Sequence, residues 1–204
     1  MAGLVPAIPI NGTTRCPLHR DARIKSAHDA EQATGGRVMI DRAYVQCMAR
    51  YNRWQNENLY SAADRLSAEE RNRERGAFFG SIHKTLNHLL WGDRTWMSRL
   101  ADLPMPEVGI PGSVSVHQDW DELKAERAAF DAKIIAWADA VDDAWLAADM
   151  TYFSGATGRE WTRPRCMLVI HLFNHQTHHR GQVHCMLTQA GAKPSDTDLP
   201  FLPD

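Results

Sequence analysis

The sequence has no CxxC pair, no glycine-rich phosphate loop, no internal repeat and no excess of positive charge. Each absence excludes something. The four cysteines (16, 47, 166 and 185) form no ligand-like pair, and a chain of 204 residues builds a core without disulfide staples. They read as reduced thiols of a cytoplasmic protein. The formal net charge of −2 leaves no basic surplus to hold a phosphate backbone, so nucleic acid is not an expected partner. No apolar run approaches the ~20 residues of a membrane helix, so no membrane partner is expected. The opening MAGLVPAIPI lacks a basic leader and is interrupted by two prolines, which makes a poor secretion signal.

Hydrophobic residues at 44% and charged residues at 24% suit one soluble domain rather than a disordered chain. Residues 1–38 differ from the rest. They carry Pro6, Pro9, Gly12, Pro17, Gly35 and Gly36 without sustained periodicity, and are expected to be a disordered extension. Regular patterning begins at Met39, which could itself be the start of the folded part, residues 39–204.

From there the apolar spacing predicts helices. A first runs over about 41–63, through Tyr44, Met48, Tyr51 and Leu59. The charged stretch 64–76 has Ser67, Glu69 and Glu70 arranged like a helix start, and Arg71 to Arg75 reads as a solvated face. Phe79, Ile82, Leu86, Leu89, Trp96 and Leu100 mark a second long helix. A breaker-rich linker follows (Pro104, Pro106, Gly109, Pro111, Gly112), then a third helix over about 116–140. Aromatic and β-branched residues flank a Ser-Gly-Ala-Thr-Gly turn within 150–164, which predicts a short hairpin or extended loop. A last helix spans about 165–190 and stops at Gly191, with Pro194 beyond it. The tail SDTDLPFLPD is expected to lie extended across the body on Leu199, Phe201 and Leu202. The expected class is all-α: a four-helix bundle with a long connection before its last helix and an extended C-terminal tail.

Histidine is the unusual residue. Five of the ten fall within 168–186. At about 100° per residue, Leu168, Leu172, His175, His179, Val183, Met186 and Ala190 share a stripe roughly 80° wide, the face expected to meet the core. Two imidazoles four residues apart on that face can ligate one metal, and a buried imidazole needs a partner. Cys185 lies more than about 90° from that pair, which excludes it as a ligand beside them. A third ligand is expected from another helix, with His83, His88 and His117 as candidates that spacing does not separate. Asp93, inside the apolar stripe of the second helix, could be a ligand or accept an imidazole N–H. Gly92, beside His88, leaves space for a metal. Gln182 and Asn52 are further candidates to hydrogen-bond near it; Asn52 more simply packs and caps the helices together with Tyr51, Trp54 and Asn56. Gly181 in mid-helix suggests close packing against another helix, and the seven tryptophans read as core.

The runs HLFNHQTHHRGQVHCMLTQAG, GSIHKTLNHLLWGDRTWMSRL and YNRWQNENLY together resemble the DinB family, small metal-binding helical proteins of the DinB/YfiT-like superfamily and not the DNA polymerase that shares the name. The resemblance covers 39–204 and implies a metal held by three histidines. It favours His88, in LNHLL, over His83, together with His175 and His179 of the HxxxH. Three imidazoles suit Zn²⁺, Ni²⁺, Fe²⁺ or Mn²⁺. The resemblance also implies a homodimer, and an enzyme that activates a low-molecular-weight thiol against a small-molecule electrophile, a transferase in a stress or detoxification setting. The alternatives are a metal-dependent hydrolase and a metal-binding structural or stress protein without turnover. Gln176 stands where a zincin helix has its glutamate base, which counts against hydrolysis. A structural zinc site would usually have four protein ligands.

Overall fold

Short polar side chains set where the helices begin. Asp41, Ser67, Ser81, Asp119 and Asp142 each accept a hydrogen bond from a backbone N–H three residues on, satisfying donors the first turn would leave orphaned. In the computed structural model, which describes residues 39–204, they cap α1 (Arg42–Asp64), α2 (Ala68–Asn72), α3 (Ile82–Leu100), α4 (Trp120–Ala140) and α5 (Asp143–Ala147). The extension expected over 1–38 lies outside the described residues. Strands β1 (Asp149–Ser154) and β2 (Arg159–Pro164) form an antiparallel hairpin, with Tyr152 opposite Trp161. The last helix, α6 (Arg165–Gln189), continues from β2 without a side-chain cap. Gly191, at φ +79, takes the left-handed conformation that stops it.

Among the described residues the protein is mostly helical with one two-stranded antiparallel sheet, the short hairpin expected within 150–164 before the last helix. The long helices pack pairwise: α1 on α4 and α6, and α3 on α6 and α4. Leu59, Ile82, Leu86, Leu89, Leu123, Ile134, Leu172, Phe173 and Met186 are buried where these faces meet. Each such side chain contributes roughly 1.5–3 kcal/mol relative to exposure. No helix among the described residues is long and apolar enough to cross a membrane.

Four local expectations are corrected. The helix expected from 116 begins at Trp120, because Ile110–Ser115 forms a 3-10 turn and Asp119 supplies the cap. The tail does not pack through Leu199 and Phe201, which are exposed. It is tied to α1 by polar contacts instead: the Tyr51 hydroxyl donates to Thr197 O (2.6 Å), Gln55 donates to Asp196 O (3.1 Å), and Ser195 N donates to Asn58 Oδ1 (2.6 Å). Gly181 faces open space, so no neighbouring helix requires it. Arg71 is not simply solvated: it donates to the carbonyls of Ala63 and Leu66 and lies over the Trp120 ring at 4.5 Å.

A polar network runs through the apolar core. Asp93, Arg127 and Asp131 are 0%, 2% and 3% exposed, so their charges depend on one another rather than on water. Arg127 donates to Asp93 Oδ2 at 2.7 Å, and its second terminal nitrogen lies 2.8 Å from Asp131 Oδ1. Asn56 donates to both Asp131 oxygens, and Arg180 of α6 donates to Asn52, which in turn reaches Asp131. Burial lifts the Asp93 carboxyl to about 6 even though Arg127 pulls it down. Burial also lowers the Arg180 guanidinium to about 10.

Candidate metal centre

His175 and His179 lie one turn apart on the inner side of α6, and His88 projects from α3, the helix packed against it. Each of the three offers one ring nitrogen, and these nitrogens all lie within 4.8 Å of one another. His88 Nε2 is 3.3 Å from His175 Nε2. Nitrogens bound about 2.1 Å from one tetrahedral ion stand roughly 3.4 Å apart, so this pair already has the spacing of two ligands.

The contacts of the outer nitrogens bear on which lone pairs face inward. His179 Nδ1 lies 2.9 Å from Gln182 Oε1. An amide oxygen has no proton to give, so Nδ1 carries it and Nε2 keeps its lone pair. His88 Nδ1 lies 2.8 Å from the Ser113 hydroxyl, which sits in the 3-10 turn of the linker and is fully buried. A hydroxyl can accept as well as donate, so with Nδ1–H donating to Ser113 Oγ the His88 Nε2 keeps its lone pair for a metal. His175 Nδ1 is buried with no hydrogen-bond partner among the described residues. Its ring therefore meets only other imidazoles at its polar atoms, an arrangement that a shared cation would satisfy. The donor set fits a divalent transition metal.

Electrostatics favours the neutral rings that a metal needs. Burial, reinforced by the charge His179 would carry, pushes His88 down to about 4. Burial, with the neighbouring imidazoles adding to it, pushes His175 down to about 3. His179 is also lowered by burial, although its bond to Gln182 opposes the shift. At neutral pH these nitrogens hold lone pairs rather than protons.

Two neighbours complete the enclosure. Phe79 lies with its ring centroid 3.9 Å from that of His88 and 5.3 Å from that of His179, covering that side of the cluster. Gly92 faces His175 across the helix pair: a Cβ built there would stand 2.9 Å from His175 Cε1 and 3.3 Å from Nδ1. Gly92 is thus the gap into which the His175 ring fits. Gly92→Ala should raise the intrinsic helix propensity of α3 by about 1 kcal/mol. It should nevertheless weaken metal binding about tenfold by displacing the ring. A chelator-competition titration beside a thermal melt checks whether the two effects separate; unchanged affinity would show that the ring moves aside freely.

The structure separates the candidates that spacing left open. His83 Nε2 lies 2.9 Å from His117 O, and His117 N donates to Asn87 Oδ1 at 2.8 Å, so His83 and His117 meet each other away from the cluster. Gln182 touches His179. Asp93 does not meet an imidazole; its oxygens take Arg127 and Gln176. Asn52 lies in the core network beside Arg180. Sequence reasoning missed Ser113 and Phe79. Nothing in the breaker-rich linker or in the residues before Ser81 signals that either would reach a histidine.

His88 and His175 also form part of the wall of a cavity of about 710 Å³. Trp91, Trp96, Arg99 and Tyr152 line it as well, so two of the tryptophans expected in the core face this space.

The DinB family profile matches residues 39–204. No curated protein matches the chain. Among solved structures, a DinB-like protein from Bacillus cereus ATCC 10987 superposes with a TM-score of 0.53 at 19% identity, over 70% of this chain and 90% of that one. At that identity the likeness concerns the fold. The family match covers the histidine cluster and the elements that hold it, and the chain belongs to the DinB family.

Proposed function

We propose that this protein is a metal-dependent enzyme that activates a small thiol for attack on an electrophile, within a DinB-type four-helix bundle that works in the cytoplasm, in stress or detoxification, as a homodimer. The observation that carries this reading is that two of the three clustered imidazoles form part of the wall of a 710 Å³ cavity. That volume suits a small-molecule substrate. A divalent metal held by His88, His175 and His179 would stabilise a thiol as its thiolate, the nucleophilic form. Ser113 and Gln182 hold the His88 and His179 rings in register. Phe79 shields the cluster on one face, while the Trp91 and Trp96 rings offer flat apolar surface to the electrophile.

Two features favour this reading over its alternatives. Among the described residues the cluster has three ligands, where a structural zinc site usually has four. Gln176, in the place of a zincin base, donates to Leu89 O and to Asp93, so it is committed to the core and takes no proton from a water. The test is consumption of a panel of small thiols, cysteine and glutathione among them, with 1-chloro-2,4-dinitrobenzene. The metal-loaded protein should turn over, and both His175→Ala and chelation should abolish turnover. Full activity after verified metal removal would overturn the proposal.

A further inference from the structure

Arg99 is a cation in the wall of the cavity, and Glu107, a carboxylate in the same wall, makes no ion pair with it. Its guanidinium lies 4.7 Å from the Trp96 ring and 4.9 Å from the Tyr152 ring, so it packs against this edge-to-face aromatic pair. One of its N–H groups donates to Phe153 O at 3.3 Å, which ties it to the hairpin. Among the described residues it makes no ion pair, although Arg94 on the same helix is paired with Glu126. A guanidinium has five N–H donors in a planar fork, and most of those on Arg99 remain to be used.

Its place relative to the histidines follows from the helix repeat. His88, Gly92, Thr95 and Arg99 succeed one another at four, three and four residues, which keeps them on one face of α3. Eleven residues of helix separate His88 from Arg99 by about 16 Å along the axis, and a helical side chain leans back toward the N-terminus, which shortens that reach. The cavity thus has imidazoles in one part of its wall, the Arg99 cation in another, aromatic rings beside them and one carboxylate, Glu107, on the linker.

We propose that Arg99 binds a carboxylate of the substrate, so that the site takes a flat apolar or aromatic molecule whose acid group sits up to about 16 Å from the atom that reacts near the histidines. Building on the enzymatic reading above, this names the substrate class for the same cavity. The Trp96 and Tyr152 rings and the bond to Phe153 O restrain the guanidinium, and a carboxylate lying in the plane of its fork receives two parallel N–H bonds. Charge-assisted bonds of this kind in a partly dry cavity favour the acid over a neutral isostere by about ten- to a hundredfold.

The test uses 3-phenylpropanoate and 3-phenylpropanamide as probes of the zinc-loaded full chain, measured by calorimetry. The acid should bind at least about tenfold tighter than the amide on the unmodified protein. Arg99→Met should bring the acid down to the level of the amide, while Arg99→Lys should keep part of the preference. Because Arg99 also ties down the hairpin, a melting curve accompanies each variant; the acid-to-amide comparison on the unmodified protein needs no substitution. His175→Ala should keep the preference for the acid, because the metal does not create it. The proposal is overturned if acid and amide bind alike, if neither binds, or if a folded Arg99→Met binds the acid as before. Loss of acid binding in His175→Ala but not in Arg99→Met would place the carboxylate on the metal and overturn it equally. An intact Arg99-dependent preference in a protein that consumes no thiol would leave the subsite standing and remove only the enzymatic reading.

Discussion

Arg127→Met should destabilise the protein by about 3–5 kcal/mol, a large share of a domain's whole margin. The side chain fits, because methionine replaces the aliphatic stem of arginine with similar bulk. What it removes is the cation between Asp93 and Asp131, both buried. Two carboxylates then face each other in the core, one of them already lifted to about 6 with the arginine in place. They must either ionise at high cost or take protons at neutral pH. Urea denaturation at pH 7 reads the loss. Asp93→Asn combined with Arg127→Met should recover part of it, because one orphaned charge is gone. A loss under about 1 kcal/mol in the single variant would mean that water reaches the network.

The consequence extends to the histidines. Each of the two on α6 is followed by a residue that faces this network: Gln176 after His175, and Arg180 after His179. Gln176 bonds to both Leu89 O and Asp93, so it couples α6 to α3 at the level of the cluster. The network therefore fixes how α6 is rotated about its axis, and with it the direction in which both imidazoles point. Arg127→Met should loosen metal binding along with the fold.

Much of this was open to sequence reasoning because it is periodic. The stripe containing His175 and His179 follows from the 3.6-residue repeat alone, and burial agrees along most of it: Leu168, Leu172, His179, Val183 and Met186 are buried, while His175 and Ala190 are half-buried. The Ser-Gly-Ala-Thr-Gly turn marked the hairpin, and Gly191 marked the end of α6, because both depend on local backbone geometry. His83 and His88 were a different problem. Both are buried on α3, and the angle on the helix wheel carries no information about which neighbour each one meets. Only packing shows that His83 meets the linker carbonyl of His117 while His88 meets α6.

The remaining features depend on partners far along the chain. Arg127 and Asp93 are separated by 34 residues, and His88 and Ser113 by 25. An aspartate in an apolar stripe looks like a ligand until the arginine that neutralises it is located. Likewise Gly92 and Gly181 look alike in sequence, each a glycine inside a helix. One is required by the His175 ring, and the other faces open space.

The sharpest test of the cluster is the comparison between His88→Ala and His83→Ala. Both remove a buried imidazole from the same helix, five residues apart, so both lose packing and a hydrogen bond. Only His88 shares the cluster with His175 and His179. Taking a per-ligand share of the binding free energy of protein zinc sites, losing one ligand costs about 3 kcal/mol, or on the order of a hundredfold in affinity. His88→Ala should show that loss in a chelator-competition titration with zinc. His83→Ala should bind zinc within about threefold of the parent even though its melting point falls, because His83 spends its Nε2 on His117 O. Zinc then supplies a second readout. Since it binds the native state alone, saturating metal should raise the melting point of the parent and of His83→Ala by similar amounts and that of His88→Ala much less. Equal losses of affinity in the two variants would mean that the metal sits elsewhere. A loss confined to His88→Ala ties the metal to the junction of α3 and α6, where His88 and His175 already stand at ligand spacing.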